Sequence, residues 1–204
     1  MSGILILGAG GHGKVIADIL LSSQQPVIGF LDDEPSLWGN QVLGLPVLGA
    51  MQDFERYQPA GLVAAIGNNA ARDALVRKLG DAAQQLWVRA QHPAAIVALS
   101  AQVGHGTVLM AGAVVNPDAV IGDHVIVNTG ATIDHDCRIE DFAHVAPGAH
   151  LAGGVVVGAR TLIGVGASVI PYQTIGQDVI IGAGATVVRT VPDAVTAKGT
   201  PARW

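Results

Sequence analysis

The stretch NTGATIDHDCRIEDFAHVAPGAHLAGGVVVGARTLIGVGASVI, residues 128–170, carries an aliphatic residue at 133, 139, 145, 151, 157, 163 and 169. The same register runs back through Val127, Ile121, Val115, Leu109 and Val103 to Val97, and forward through Ile175 and Ile181 to Val187. An alternating antiparallel sheet has period two and would not hold a phase of six over so many repeats. Gly follows the aliphatic residue at 104, 122, 158, 164, 176 and 182, and three places further on stands a small residue, as at Ala113, Ala131, Ala149 and Ala167. One inward aliphatic side chain per six residues, with a turn between, describes a solenoid of three short strands per coil. That is the left-handed parallel β-helix of hexapeptide-repeat proteins.

Eighteen residues then close one coil, and residues eighteen apart stack about one strand spacing, ~4.8 Å, from each other. Pro117, His135, Gly153 and Pro171 fall on one corner line. The backbone of Gly153 is therefore expected one coil above His135, where the missing side chain admits another group. The register spans about five coils, a prism on the order of 25 Å tall. Flat faces with apolar content are commonly covered by copies of the same chain, so a homotrimer with sites between subunits is expected.

Upstream of the repeats the pattern differs. ILIL at 4–7 runs into GAGGHGK, then VIADILL with helical spacing, then PVIGFLDD, a β-α-β opening. MQDFERY reads as a short helix, GLVAAIG as a buried strand, NNAARDALVRKLG as a helix ending at Gly80, and LWVRA as a further strand. The expectation is a Rossmann-like α/β domain over residues 1–90 with about four parallel strands, and a β-helix domain with its C-terminal tail over 91–204.

Half of the 204 residues are hydrophobic and 13% are charged, a globular composition. A net charge of -5 without a Lys/Arg cluster argues against nucleic acid. Cys137, the only cysteine, cannot form an internal disulfide. The N-terminus lacks the features of a signal peptide, and no uninterrupted apolar run reaches the roughly 18 residues of a membrane span. A cytoplasmic protein without membrane insertion is expected.

Gly8, Gly10 and Gly13 have the GxGxxG spacing after a strand and at a helix start, with Asp32 and Asp33 after the second strand. Such a turn brings main-chain N–H groups to an anion, and the carboxylates can accept from ribose hydroxyls. The bland alternative is a tight turn that binds nothing. The missing second mononucleotide half points away from a dinucleotide and toward a nucleotide carrying a sugar diphosphate.

His135 stands between Asp134 and Asp136 at a coil corner and should point outward. An exposed corner histidine is commonly structural, but either neighbouring acid could hold its tautomer and raise its basicity, as a general base requires. His144 lies on another edge and could meet His135 only across a subunit boundary; it reads equally as an interface histidine. His105, His124 and His150 read as surface residues. Cys137 falls at an inward position, where a thiol is usually inert. Arg160, Arg189, Lys198 and Arg203 read as solvated cations, any of which could meet cofactor phosphates.

Taken together, GAGGHGKVIADIL, FLDD, NTGATIDHD, FAHVAPGAHLAGGV, IGAGATVV and KGTPA resemble the sialic-acid-cluster and pilin-glycosylation type of sugar O- and N-acetyltransferases, over nearly the whole chain. The resemblance implies acetyl transfer from acetyl-CoA to a nucleotide-linked amino sugar, with no metal. It makes His135 the base and Asp136 its orienting acid, where the family often has Glu. It makes Gly153 the residue whose N–H faces the thioester oxygen. It further implies that Gly11, His12, Gly13, Lys14, Asp32, Asp33 and Asn128 hold the acceptor. The donor would lie along His144, Gly153, Gly164, Gly182 and Lys198 of the KGTPA tail. Acylation of a hydroxyl, a metal-dependent hydratase of the carbonic-anhydrase type and a non-catalytic nucleotide-sugar sensor are the competing readings.

Overall fold

The computed structural model describes residues 3–204, which divide into two compact units, one ending at Pro93 and the other running from Ala94 to Trp204.

The first unit is built on a small parallel sheet. β1 (Ile4–Leu7) is buried along its whole length, the usual state of a strand in a sheet covered on both faces. After it come α1 (Gly11–Ser22), β2 (Val27–Leu31), a hairpin of β3 (Gln41–Val42) and β4 (Leu45–Pro46), then β5 (Gly61–Ala64) and α2 (Asn69–Ala83). The sheet order is β2-β1-β5, all parallel. The chain therefore reverses its direction of travel at β1, and the C-terminal ends of β1 and β5 flank the crevice where open α/β sheets bind ligands. Asn68 caps α2 by accepting from the Ala71 N–H at 2.9 Å, and Gly80 interrupts its last part at φ +54°.

Three strands form where about four were expected. To that sheet LWVRA contributes only a parallel bridge between Trp87 and Leu62, and its last residue opens a separate two-residue strand, Ala90–Gln91. The Leu62 N–H donates to the Leu86 carbonyl and the Val88 N–H to the Leu62 carbonyl, and the pairing ends there. MQDFERY forms a 3₁₀ helix, Met51–Tyr57.

The second unit is a parallel β-solenoid of two-residue strands on three faces. One face stacks Ile96–Val97, Val114–Val115, Thr132–Ile133, His150–Leu151, Ser168–Val169 and Thr186–Val187. Successive partners are eighteen residues apart, as in Thr132↔His150 and Ile133↔Leu151. This six-stranded face makes about six coils, where about five were expected, because the hexad register both begins and ends on it, at Val97 and Val187; on another face the chain pairs once more beyond the register, Thr196–Ala197 with Ile180–Ile181. The inward aliphatics and the alanines two positions before them, such as Ala131 with Ile133 and Ala149 with Leu151, form one buried core.

Each corner needs one residue in the left-handed region. From Gly106 to Gly184 every sixth residue has φ between +54° and +70°. Glycine fills many of these places, but Asp118, His124, Asp136, Phe142, Arg160, Tyr172 and Asp178 also adopt it. The glycines after the aliphatic positions serve stacking instead. A Cβ added at Gly164 would lie 2.8 Å from the Ala183 nitrogen in the next coil.

Candidate active site

The corner at His135 gathers several of the residues that the sequence singled out. The Asp136 carboxylate accepts from His135 Nδ1 at 2.7 Å, while Asp134 accepts from the His135 main-chain N–H at 2.8 Å and from the Asn116 side chain at 3.0 Å. Asp134 thus pins the backbone and Asp136 orients the ring. Both side chains of the His135–Asp136 pair are more than half exposed. The hydrogen bond that His135 donates to Asp136 raises the imidazole above its ordinary 6.5, slight desolvation opposes this, and the charges of Asp134 and Asp136 add to the rise.

With Nδ1 engaged, Nε2 is the nitrogen left for chemistry. It lies against Gly153, where an added Cβ would stand 2.6 Å from Nε2 and from Cε1. Pro117 and Pro171 on the same line have no N–H, and the His135 N–H is taken by Asp134. The Gly153 N–H has no acceptor among the described residues. An imidazole nitrogen and an unengaged main-chain donor therefore share one corner, the pairing needed to deprotonate a nucleophile and stabilise an oxyanion beside it. A groove of about 580 Å³ runs along the adjoining face, lined among others by Asn116, Asp134, His150, Ile170 and Pro171; of the corner line, Pro171 alone borders it.

Asn128 and His144 lie together on a different edge, with Asn128 Nδ2 3.0 Å from His144 Nε2. The single chain does not bring them to His135. Gly164 and Gly182 stack on each other, and Gly182 lies under Lys198, whose Cβ is 3.1 Å from where one would be added at Gly182. Lys198 is exposed.

His124 departs from its expected surface place. It is 4% exposed and stacks on Phe142 with ring centroids 5.1 Å apart. The space is provided by Gly106, one coil below, where any Cβ would collide with the His124 ring. Arg160, expected to be solvated, pairs with Asp178 through two 2.7 Å contacts, and Arg189 lies over the Trp204 ring at 4.6 Å. Cys137 is buried, its Sγ donating to the Ala152 carbonyl at 3.3 Å, and burial raises its thiol pKa.

In the first unit the glycines separate by role. Gly13 meets the Gly8 carbonyl so closely that no Cβ fits, so it serves helix–strand packing, whereas at Gly10 and Gly11 an added Cβ meets nothing within 4 Å. The open side of the turn is therefore at Gly10 and Gly11, at the start of α1, with Lys14 exposed on its first turn. Asp32 is braced, accepting from Ala9 N–H at 2.7 Å and Glu34 N–H at 2.9 Å. Asp33 accepts from Met51 N–H at 2.9 Å. His12 Nε2 is buried without a hydrogen-bond partner among the described residues, and burial with the nearby Arg72 charge lowers its pKa to about 4.

Sequence reasoning passed over Asn116, Arg72 and Tyr172. Asn116 was legible from its eighteen-residue offset to Asp134. Arg72 is 1% exposed and donates to the Ile66 carbonyl at 2.7 Å and to Asn69 Oδ1 at 2.9 Å, which fixes the loop after β5 beside the crevice.

Residues 3–79 match the PglD N-terminal domain model, and residues 100–135 match the bacterial transferase hexapeptide (six repeats) model. The chain is similar to a histidine-to-asparagine variant of perosamine N-acetyltransferase from Caulobacter crescentus, solved in complex with CoA and GDP-perosamine. The TM-score is 0.93, with 44% identity, covering 100% of this chain and 96% of that one. The acetyltransferase domain of PglB from Neisseria gonorrhoeae, solved in complex with acetyl coenzyme A, gives a TM-score of 0.90 with 37% identity, covering 98% of this chain and 97% of that one. UDP-N-acetylbacillosamine N-acetyltransferase of Bacillus subtilis is 42% identical over 114 residues, 54% of this chain and 52% of that protein, so the match spans about half of that curated relative.

A small α/β unit followed by a hexapeptide solenoid with an acid-braced corner histidine defines the class of hexapeptide-repeat acyltransferases. The chain belongs to the family of sugar N-acetyltransferases that couple a PglD N-terminal domain to hexapeptide repeats.

Proposed function

We propose that the chain transfers an acetyl group from acetyl-CoA to the amine of a nucleotide-linked aminodeoxy sugar. The observation that carries this reading is the packing of His135 Nε2 against Gly153, whose N–H lacks an acceptor among the described residues. His135 removes a proton from the amine as its nitrogen attacks the thioester carbonyl carbon. The carbonyl oxygen gains negative charge against the Gly153 N–H. The C–S bond then breaks, the amide remains on the sugar, and the imidazolium returns its proton to the departing CoA thiolate. Asp136 keeps Nδ1 protonated and Nε2 basic throughout. Cys137 takes no part, so no acyl-enzyme forms.

Gly10, Gly11, His12 and Lys14 at the start of α1, with Asp32 and Asp33 bracing the neighbouring loops, hold the nucleotide and its phosphates. Structures of relatives with GDP-perosamine and with acetyl coenzyme A support both ligand classes. The left-handed winding and homotrimer belong to this proposal. Asn128 and His144 sit on an edge that one chain keeps away from His135, and a second copy supplies such an edge to the acceptor and the acetyl carbonyl. CoA then runs along Gly164, Gly182 and Lys198. No helix among the described residues is long and apolar enough to cross a membrane; we assign the protein to the cytoplasm, where its free buried thiol stays reduced.

The test is steady-state acetyl transfer by His135→Ala with a panel of nucleotide sugars bearing an amine or only hydroxyls. Turnover on the amine acceptor should fall by roughly 10²–10⁴, the usual worth of a general base, with the oligomer unchanged by gel filtration. Near-normal turnover in the variant would remove His135 from the chemistry, and faster transfer to the hydroxyl acceptors would make the protein an O-acetyltransferase.

A further inference from the structure

The coil above Gly153 and Gly154 brings Pro171 and Tyr172 to the His135 corner. The line that Tyr172 occupies is otherwise small or acidic: Asp118, Asp136 and Gly154. Tyr172 takes the left-handed conformation that every corner requires, at φ +60°, one that is unfavourable for a bulky side chain. Its N–H donates to the Gly153 carbonyl at 3.0 Å, and its ring lies on Gly154, where an added Cβ would stand 2.5 Å from Cδ1 and 2.7 Å from Cε1.

Despite that contact, Tyr172 is 76% exposed. Phe142, also held at a left-handed corner, covers His124 with its ring. Tyr172 has no such partner among the described residues, and its hydroxyl makes no hydrogen bond there. An imidazole from the coil below and a phenol from the coil above thus share one floor, the Gly153–Gly154 peptide, and the unengaged Gly153 N–H belongs to that floor.

We infer that the Tyr172 ring is the wall against which the acyl group of the donor packs, and that it sets the length of acyl chain transferred. The inference rests on the site proposed at His135 and Gly153. A thioester carbonyl oxygen held by the Gly153 N–H, with its carbon facing the amine at His135, must direct its remaining substituents away from the imidazole. Within about one coil spacing, ~4.8 Å, a substituent pointing up the stack meets the Tyr172 ring. That height accommodates a methyl group and excludes a longer chain.

The experiment compares kcat/KM for acetyl-, propionyl- and butyryl-CoA in the wild type, Tyr172→Ala, Tyr172→Gly and Tyr172→Phe. The Ala and Gly variants should raise the butyryl-to-acetyl ratio by about tenfold or more, the scale on which a hydrophobic wall discriminates methylenes. The Phe variant should keep the wild-type ratio, because the ring and not the hydroxyl is the wall. The Gly variant relaxes the left-handed backbone, so it retains its fold even where Ala does not. An unchanged ratio in the Gly variant overturns the inference, including the case where KM rises equally for all three donors and the ring merely supports the pantetheine arm. Failure of the underlying site appears separately, as full activity in His135→Ala.

Discussion

The imidazole of His135 rests on the α-carbon of Gly153, one coil above it, so close that the position excludes every side chain. The contact places a basic nitrogen next to an unengaged N–H without any loop having to move. It also makes the geometry sensitive to the smallest substitution.

Gly153→Ala would put a methyl group 2.6 Å from Nε2 and Cε1. The ring must swing away, and its 2.7 Å bond to Asp136 lengthens or breaks. Turnover should fall by about 10²-fold, the cost of an ångström-scale misplacement, while circular dichroism stays unchanged because the corner faces outward. Wild-type kcat in this variant would show that the ring does no work in that place.

Asp136→Asn removes the main cause of the raised His135 pKa. His135 acts as base only when neutral, so the rate climbs as pH rises through its pKa, which lies above 6.5. In the variant that climb should move to lower pH, and the plateau should fall because the base is weaker and less well oriented. A profile of kcat/KM against pH checks this; an unmoved limb would belong to another group.

Cys137→Ala should leave kcat unchanged and cost about 1 kcal/mol of stability, the scale of a small core truncation. The thiol is 1% exposed and bonded to the Ala152 carbonyl. Thermal unfolding and steady-state rates test both halves. Loss of activity in a folded variant would contradict direct attack.

His12 stays neutral in the folded unit down to about pH 4, whereas in the unfolded chain it takes up a proton near its ordinary 6.5. Below 6.5 the unfolded state binds the extra proton, so stability is complete above that pH and declines as pH falls toward 4. The decline should reach about 2 kcal/mol near pH 5. His12→Gln should flatten this part of the stability curve in chemical denaturation; an identical slope would show that another group is responsible.

Much of this corner could be read along the chain. The eighteen-residue offset placed Gly153 over His135, and the inward phase of Cys137 followed from its hexad. The same counting did not find Tyr172, whose importance comes from the glycine below it, and it left His124 on the surface. Its ring is buried at the corner because Gly106 makes room one coil below and Phe142 covers it from the coil above. In the first unit the glycine motif was visible, but its residues looked equivalent. Only contacts separate Gly13, pressed on the Gly8 carbonyl, from the open Gly10 and Gly11.

The sequence alone determined which residues stack, because a hydrogen-bonded parallel ladder repeats with the period of the hydrophobic pattern and allows no slip without exposing the core. Tertiary structure decided which of two neighbouring acids reaches the imidazole, which main-chain donor stays unengaged and which rings fold against the backbone. Those outcomes depend on side-chain direction and on the space left by the coil above or below, and neither is contained in a one-dimensional period.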